Sequence, residues 1–138
     1  MQLVMDAPAL NAFLAADFAE VAHMFAVEAV GAETLVRLRV DKSHLRPGGT
    51  VSGPTMFALA DVGIYLAILS RIGPVALSVT TNASIDFLRK PKAGADLLAR
   101  VRVLKLGRSL AVGDALLYSE GEEEPVARAA MTYSIPRG

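Results

Sequence analysis

GGTVSGPTMFALADVGIYLAILSRIG, residues 48–73, is the stretch whose reading decides the fold. Gly48, Gly49, Gly53 and Pro54 make a turn-rich approach that ends where a long apolar run begins. Pro54 suits the first turn of a helix, where its missing N–H is not needed and its φ is already set. Ser52 or Gly53 can cap, and the spacing predicts a helix from about Pro54 to Arg71, stopped by Gly73-Pro74. The run approaches the ~20 residues of a membrane span. However, Asp61 sits near its middle, and alanines and glycine dilute its hydrophobicity. A helix apolar nearly all round is more simply one buried inside a domain.

Asp61 is the residue to explain. Apart from the phenol of Tyr65, it is the only acidic or basic side chain between Val51 and Ser70. Removing a carboxylate from water costs several kcal/mol unless it is paired, hydrogen-bonded or neutralised. It lies too far from Pro54 to cap the helix. One reading is a carboxylate on a solvated seam or bonded to a neighbouring strand. The other is a carboxylate placed at an internal cleft to act as base or nucleophile.

Upstream, residues 6–18 read as a short amphipathic helix, with Asp6 as cap, Pro8 in the first turn and Leu10, Phe13, Leu14 and Phe18 at helical spacing. Residues 22–30 read as a strand, Gly31 to Glu33 as a turn, and Thr34 to Val40 as an alternating strand, completing a hairpin. Downstream of a loop at 41–50 and the long helix, four strands are expected in a meander, at 76–88, 97–106, 110–119 and 126–135. In the first of these, Ile85 and Phe87 are expected on one face and Thr80, Asn82, Ser84 and Asp86 on the other. Glu120 to Glu124 reads as a solvated turn. Met24, Met56, Met131 and the phenylalanines read as core.

Composition narrows the function classes. With 138 residues and 53% hydrophobic content, one domain with ample core is expected over 1–138, its first 20 residues an N-terminal helical segment. Fourteen basic residues balance fourteen acidic ones, which gives no nucleic-acid footprint. Without cysteine there is no thiolate chemistry, and His23 and His44 belong to no ligand cluster, so no metal is expected. No basic stretch followed by a continuous apolar core opens the chain, so no secretory leader or membrane partner is expected and the cytoplasm is the default.

A sheet of this many strands must bury one face, and only the helix at 54–71 is apolar enough to cover it. The expected class is α+β: a curved antiparallel sheet wrapped around one central helix, the hot-dog fold. The second sheet face is also partly apolar, which favours a partner subunit.

Over roughly residues 30–136 the sequence resembles the PaaI-like acyl-CoA thioesterases of the hot-dog superfamily. Four segments in order carry the resemblance: Ser52-Gly53-Pro54 with Leu59-Ala60-Asp61, then Ile85 through Pro91, Gly107-Arg108-Ser109, and Ala127-Arg128-Ala129. The resemblance implies that Asp61 activates water or attacks the thioester carbonyl, and that the backbone N–H of Gly53 stabilises the oxyanion. A helix N-terminus, with free N–H groups and a positive dipole end, suits that task. Asp61 lies about 10 Å along the axis from Pro54, so one helix cannot easily bring both groups to one carbonyl. A two-fold dimer can, so a homodimer or dimer of dimers is expected, with the site between subunits.

The sequence departs from the family at three positions: Ser52 replaces its His, Pro54 its second Gly, and Arg46 an upstream Asn. Ser52 can hydrogen-bond substrate or simply cap. Thr80 and Asn82 can supply a polar group near Asp61 or be ordinary strand polarity. Arg89, Lys90 and Arg108, beside Gly107 and Ser109, are candidates for the phosphates of coenzyme A, which enters as part of the substrate and not as a cofactor. Three classes stay open: an acyl-CoA thioesterase, a non-catalytic acyl or CoA binder, and a hydratase or dehydratase that would need a His beside the carboxylate.

Overall fold

The computed structural model describes residues 2–136. Helix α1 (Ala7–Asp17) starts where the Asp6 carboxylate accepts the Ala9 N–H at 2.9 Å, and it buries Leu10, Phe13 and Leu14. Phe18 is the residue that ends it, and the chain turns there: its carbonyl accepts from both Val21 and Ala22. That turn replaces the first residues of the expected strand with a 3-10 turn over Ala22–Met24, leaving β1 as Phe25–Ala29. β2 (Thr34–Leu38) pairs with it antiparallel, Thr34, Val36 and Leu38 facing inward.

Helix α2 (Gly53–Ile72) is capped by Ser52, whose Oγ accepts the Thr55 N–H at 3.3 Å, and ends at Gly73, where φ is 93°. Its length and mean hydropathy would suit a membrane span. Here it lies instead inside the sheet, with Leu59, Ala60, Ile64, Leu66, Ala67 and Leu69 fully buried. β3 (Val79–Phe87), β4 (Leu97–Leu106), β5 (Leu110–Ser119) and β6 (Ala127–Ser134) complete one six-stranded antiparallel sheet. The architecture is the expected hot-dog one: a curved antiparallel sheet around one long helix.

The strand order, β1-β2-β4-β5-β6-β3, corrects the four-strand meander. Only β4, β5 and β6 follow one another; β3 pairs with β6 at the far edge, and β4 with β2. The connection over residues 88–96 is far longer than the roughly two to five residues of a hairpin loop. It carries the chain across the sheet, so β3 and β4, neighbours in sequence, are not partners in space.

Small residues set the distance between helix and sheet. A Cβ on Gly63 would meet Val101 at 3.2 Å, and one on Gly113 would stand 2.7 Å from Ile64 Cγ2 and 3.0 Å from the Arg102 carbonyl. Ala99, Ala115 and Ala129 are further small residues buried on the inner face. The outer face carries ion pairs: Arg102 with Asp114 at 2.7 Å, Arg128 with Asp86 at 2.8 Å and Arg100 with Glu33 at 2.7 Å. The acidic turn is not merely solvated, since Glu120 pairs with Arg37 at 2.7 Å and Glu124 pairs with Arg89.

The two sheet edges differ. At β1, the Asn11 side chain of α1 occupies the Val27 backbone, accepting its N–H at 2.9 Å and donating to its carbonyl at 3.0 Å. At β3, every residue but Ile85 is exposed. Phe18, Phe57 and Phe87 are exposed too, so the phenylalanines are not all core; Phe13 and Phe25 are buried.

Candidate active site

Asp61 stands on the side of α2 that faces β3 and β6, and three side chains meet there. Thr80 Oγ1 donates to Asp61 Oδ1 at 2.6 Å. The Tyr133 hydroxyl contacts the same Oδ1 and donates to the Asp61 backbone carbonyl at 2.6 Å. Among the described residues no hydrogen bond reaches Oδ2. The carboxylate is therefore anchored by one oxygen and keeps the other for a ligand or water. The Tyr133 phenol is held well above its usual range, first by burial and then by its hydrogen bond to Asp61. Burial and the charge of Asp17 push the Tyr65 phenol up to about 12. Both phenols stay protonated at neutral pH, which makes Tyr133 a donor and not a base. Asp61 lines a cavity of 290 Å³ together with Phe18, Tyr65, Val79, Thr80 and Tyr133.

A β-bulge puts Thr80 in this position. The β3–β6 register shifts between Thr80 and Asn82: Thr80 lies opposite Tyr133, and Asn82 opposite Thr132. Residues directly opposite share a face, and an inserted residue flips all that precede it. Thr80 thus joins the inner face with Tyr133, while Asn82 points to the outer one. The expectation that Thr80 and Asn82 share a face is corrected, and Asn82 is not beside Asp61.

A second group gathers at the N-terminus of α2. Ser52 is engaged as the cap, its Oγ also 2.8 Å from Thr55 Oγ1. Pro54 has no N–H, and the Met56 N–H bonds Ser52 O at 3.1 Å. Among the described residues the Gly53 N–H has no acceptor, which leaves it as the free donor at this helix end. The Phe87 ring lies under Gly53, 3.3 Å from where a Cβ would stand. Gly53, Phe87, Arg46, Arg89 and Lys90 line one cleft of 390 Å³. Arg89 is held there by Glu124 and by the Pro125 carbonyl at 3.2 Å.

Gly107, Arg108 and Ser109 form the β4–β5 turn, where the Gly107 N–H donates to Leu110 O at 2.8 Å, and they line neither cavity. Neither histidine lines them: the His44 ring accepts the Asp41 N–H at 2.9 Å and sits 3.1 Å from Met24 Sδ. Among the described residues no cluster suits a metal ion. Sequence reasoning missed Tyr133, Tyr65 and Phe18 as site residues. Tyr133 had a signal, since a phenol alternating with Ala129 and Met131 on a buried face must find a polar partner.

Residues 48–126, more than half of the chain, match the Thioesterase superfamily. The chain belongs to that family. A Pseudomonas aeruginosa protein, named "Putative esterase PA0474", is 35% identical over 104 residues, 75% of this chain and 76% of that one. Among solved structures, a "putative thioesterase" of Silicibacter sp. TM1040 is 56% identical with a TM-score of 0.92, covering 99% of this chain and 96% of that one. The phenylacetic acid degradation protein PaaI of Thermus thermophilus, solved as a point mutant, is 28% identical with a TM-score of 0.72 over 86% of this chain and 99% of its own. Within the thioesterase superfamily this chain resembles PaaI, as its motifs suggested, and general thioesterase chemistry is supported.

Proposed function

We propose that this protein hydrolyses small or medium acyl-CoA thioesters at a site shared by two copies of the chain. The observation that carries the reading is the separation of two complementary halves. Asp61, with one carboxylate oxygen unbonded, lies eight residues from the free N–H of Gly53, about 12 Å along α2. Along β3, Thr80 beside Asp61 and Phe87 beneath Gly53 are about 23 Å apart. The β3 edge is open and carries exposed Val79 and Phe87. Antiparallel pairing of two β3 strands about a two-fold axis near Ala83 and Ser84 would lay Thr80 opposite the partner subunit's Phe87. Each Asp61 would then face the partner subunit's Gly53 and its cleft of Arg46, Arg89 and Lys90.

In that arrangement Asp61 takes a proton from water as the oxygen attacks the thioester carbonyl, or attacks it directly to form an anhydride that water then opens. The oxyanion forms against the Gly53 N–H. When the C–S bond breaks, the thiolate leaves with the electron pair and the released proton goes to it. The basic cleft holds the nucleotide phosphates. A non-catalytic acyl-CoA binder is the second reading, because Pro54 and the capped Thr55 leave so few donors for an oxyanion.

Thiol release from a panel of acyl-CoAs tests the reading. Turnover is expected on short and medium chains; tight binding without any release would leave the binder. In the same assay Arg46→Ala and Lys90→Ala should each raise KM for acyl-CoA roughly fivefold, the effect of about 1 kcal/mol. A small thioester lacking the nucleotide should be unaffected. Equal losses on both substrates would mean that these cations only hold the cleft together.

A further inference from the structure

We propose that the 290 Å³ cavity beside Asp61 takes the acyl chain, and that Phe18 of the N-terminal segment sets how long that chain can be. This rests on the thioesterase reading for the location of the carbonyl. The cavity's walls are Val62, Tyr65, Ala76, Val79 and the polar Ser78, and Tyr65 stands between Phe18 on one side and Tyr133 of the Asp61 cluster on the other.

The walls are chemically suited to hydrocarbon. Tyr65 satisfies its hydroxyl on the Ala76 carbonyl at 3.0 Å, which leaves its ring as an apolar surface. Phe18 stands edge-on to that ring, centroids 5.8 Å apart at 83°, and Phe13 supports it at 5.9 Å. A tilted Tyr65–Tyr133 contact at 6.3 Å continues the aromatic wall to the carboxylate.

Phe18 is placed and held by its backbone. Its N–H donates to Leu14 O at 2.9 Å, and its carbonyl accepts from Val21 at 3.0 Å and Ala22 at 2.9 Å. α1 itself is fixed to the sheet by Asn11. Yet Phe18 is 37% exposed, whereas Phe13, five residues earlier, is buried. Phe18 thus packs one side on Tyr65 and Phe13 and presents the rest of its ring to the cavity, where a chain lying along Tyr65 would meet it. An acyl chain that runs from the Asp61 cluster along Tyr65 therefore meets the Phe18 ring.

The experiment compares wild type, Phe18→Ala and Phe18→Trp on saturated acyl-CoAs from two to sixteen carbons. Two quantities are read: kcat/KM for thiol release, and Kd for the non-hydrolysable thioether analogues. Phe18→Ala should raise the preference for twelve over six carbons roughly tenfold, the burial of about two further methylenes. Phe18→Trp should move it the opposite way. Loss of packing alone would lower all chain lengths together in both variants, and that result overturns the proposal. So does binding by the wild type that is independent of chain length. If no chain is hydrolysed but the Kd series shifts with residue 18 as described, the cavity assignment stands and the hydrolase reading falls.

Discussion

Asp61→Asn is expected to reduce kcat for acyl-CoA hydrolysis by at least ~10²-fold, the lower scale for loss of a positioned general base. The substitution is well matched to the site. Thr80 donates to Oδ1, which the Tyr133 hydroxyl also contacts, and an amide oxygen in that place accepts the Thr80 bond equally well. What disappears is the negative charge and the basic second oxygen. Folding should survive, because a neutral amide costs less to bury than a carboxylate. KM should change little, since the lost interaction belongs to the transition state. Asp61→Asn turnover at the wild-type rate would remove Asp61 from the mechanism. A drop in melting temperature with kcat per folded molecule intact would make it a structural residue.

The second large effect concerns stability. Gly113→Ala should destabilise the fold by about 2–3 kcal/mol and lower the melting temperature by roughly 10 °C. Its Cβ would stand 2.7 Å from Ile64, which is fully buried, and 3.0 Å from the Arg102 carbonyl, so neither side can yield without moving helix or sheet. Gly31→Ala is the control: its Cβ would meet nothing nearer than the Glu33 carbonyl at 3.9 Å. Equal urea midpoints for the two variants would show that α2 does not approach β5 as closely as described.

The central helix and the sheet strands were legible because their signals are local. A cap at Ser52, a stop at Gly73 and an apolar run between them need no knowledge of the rest of the chain. Asp61 was legible for the same reason: one charge in such a run demands a partner. Its partners were less so. Thr80 was singled out on a strand face it does not share with Asn82, because a bulge is a mismatch between two strands and alternation is read along one. Tyr133 lies 72 positions from Asp61, and only the sheet order brings them together. The exposed Phe18 and Phe87 look like core in sequence, since hydrophobicity does not say whether the covering surface belongs to the same chain.

The Asn11 amide at Val27 has a consequence for how many copies can join. A sheet with two unoccupied borders can add strands at both, and identical molecules so joined grow into a fibre. Here, at β1, the Asn11 side chain takes the Val27 N–H and C=O as a neighbouring strand would, and β3 lies at the other border. If two copies join through β3, the two borders that meet leave neither for a third copy. In the proposed pairing through β3, the amide of Asn11 would oppose a further strand at the opposite border.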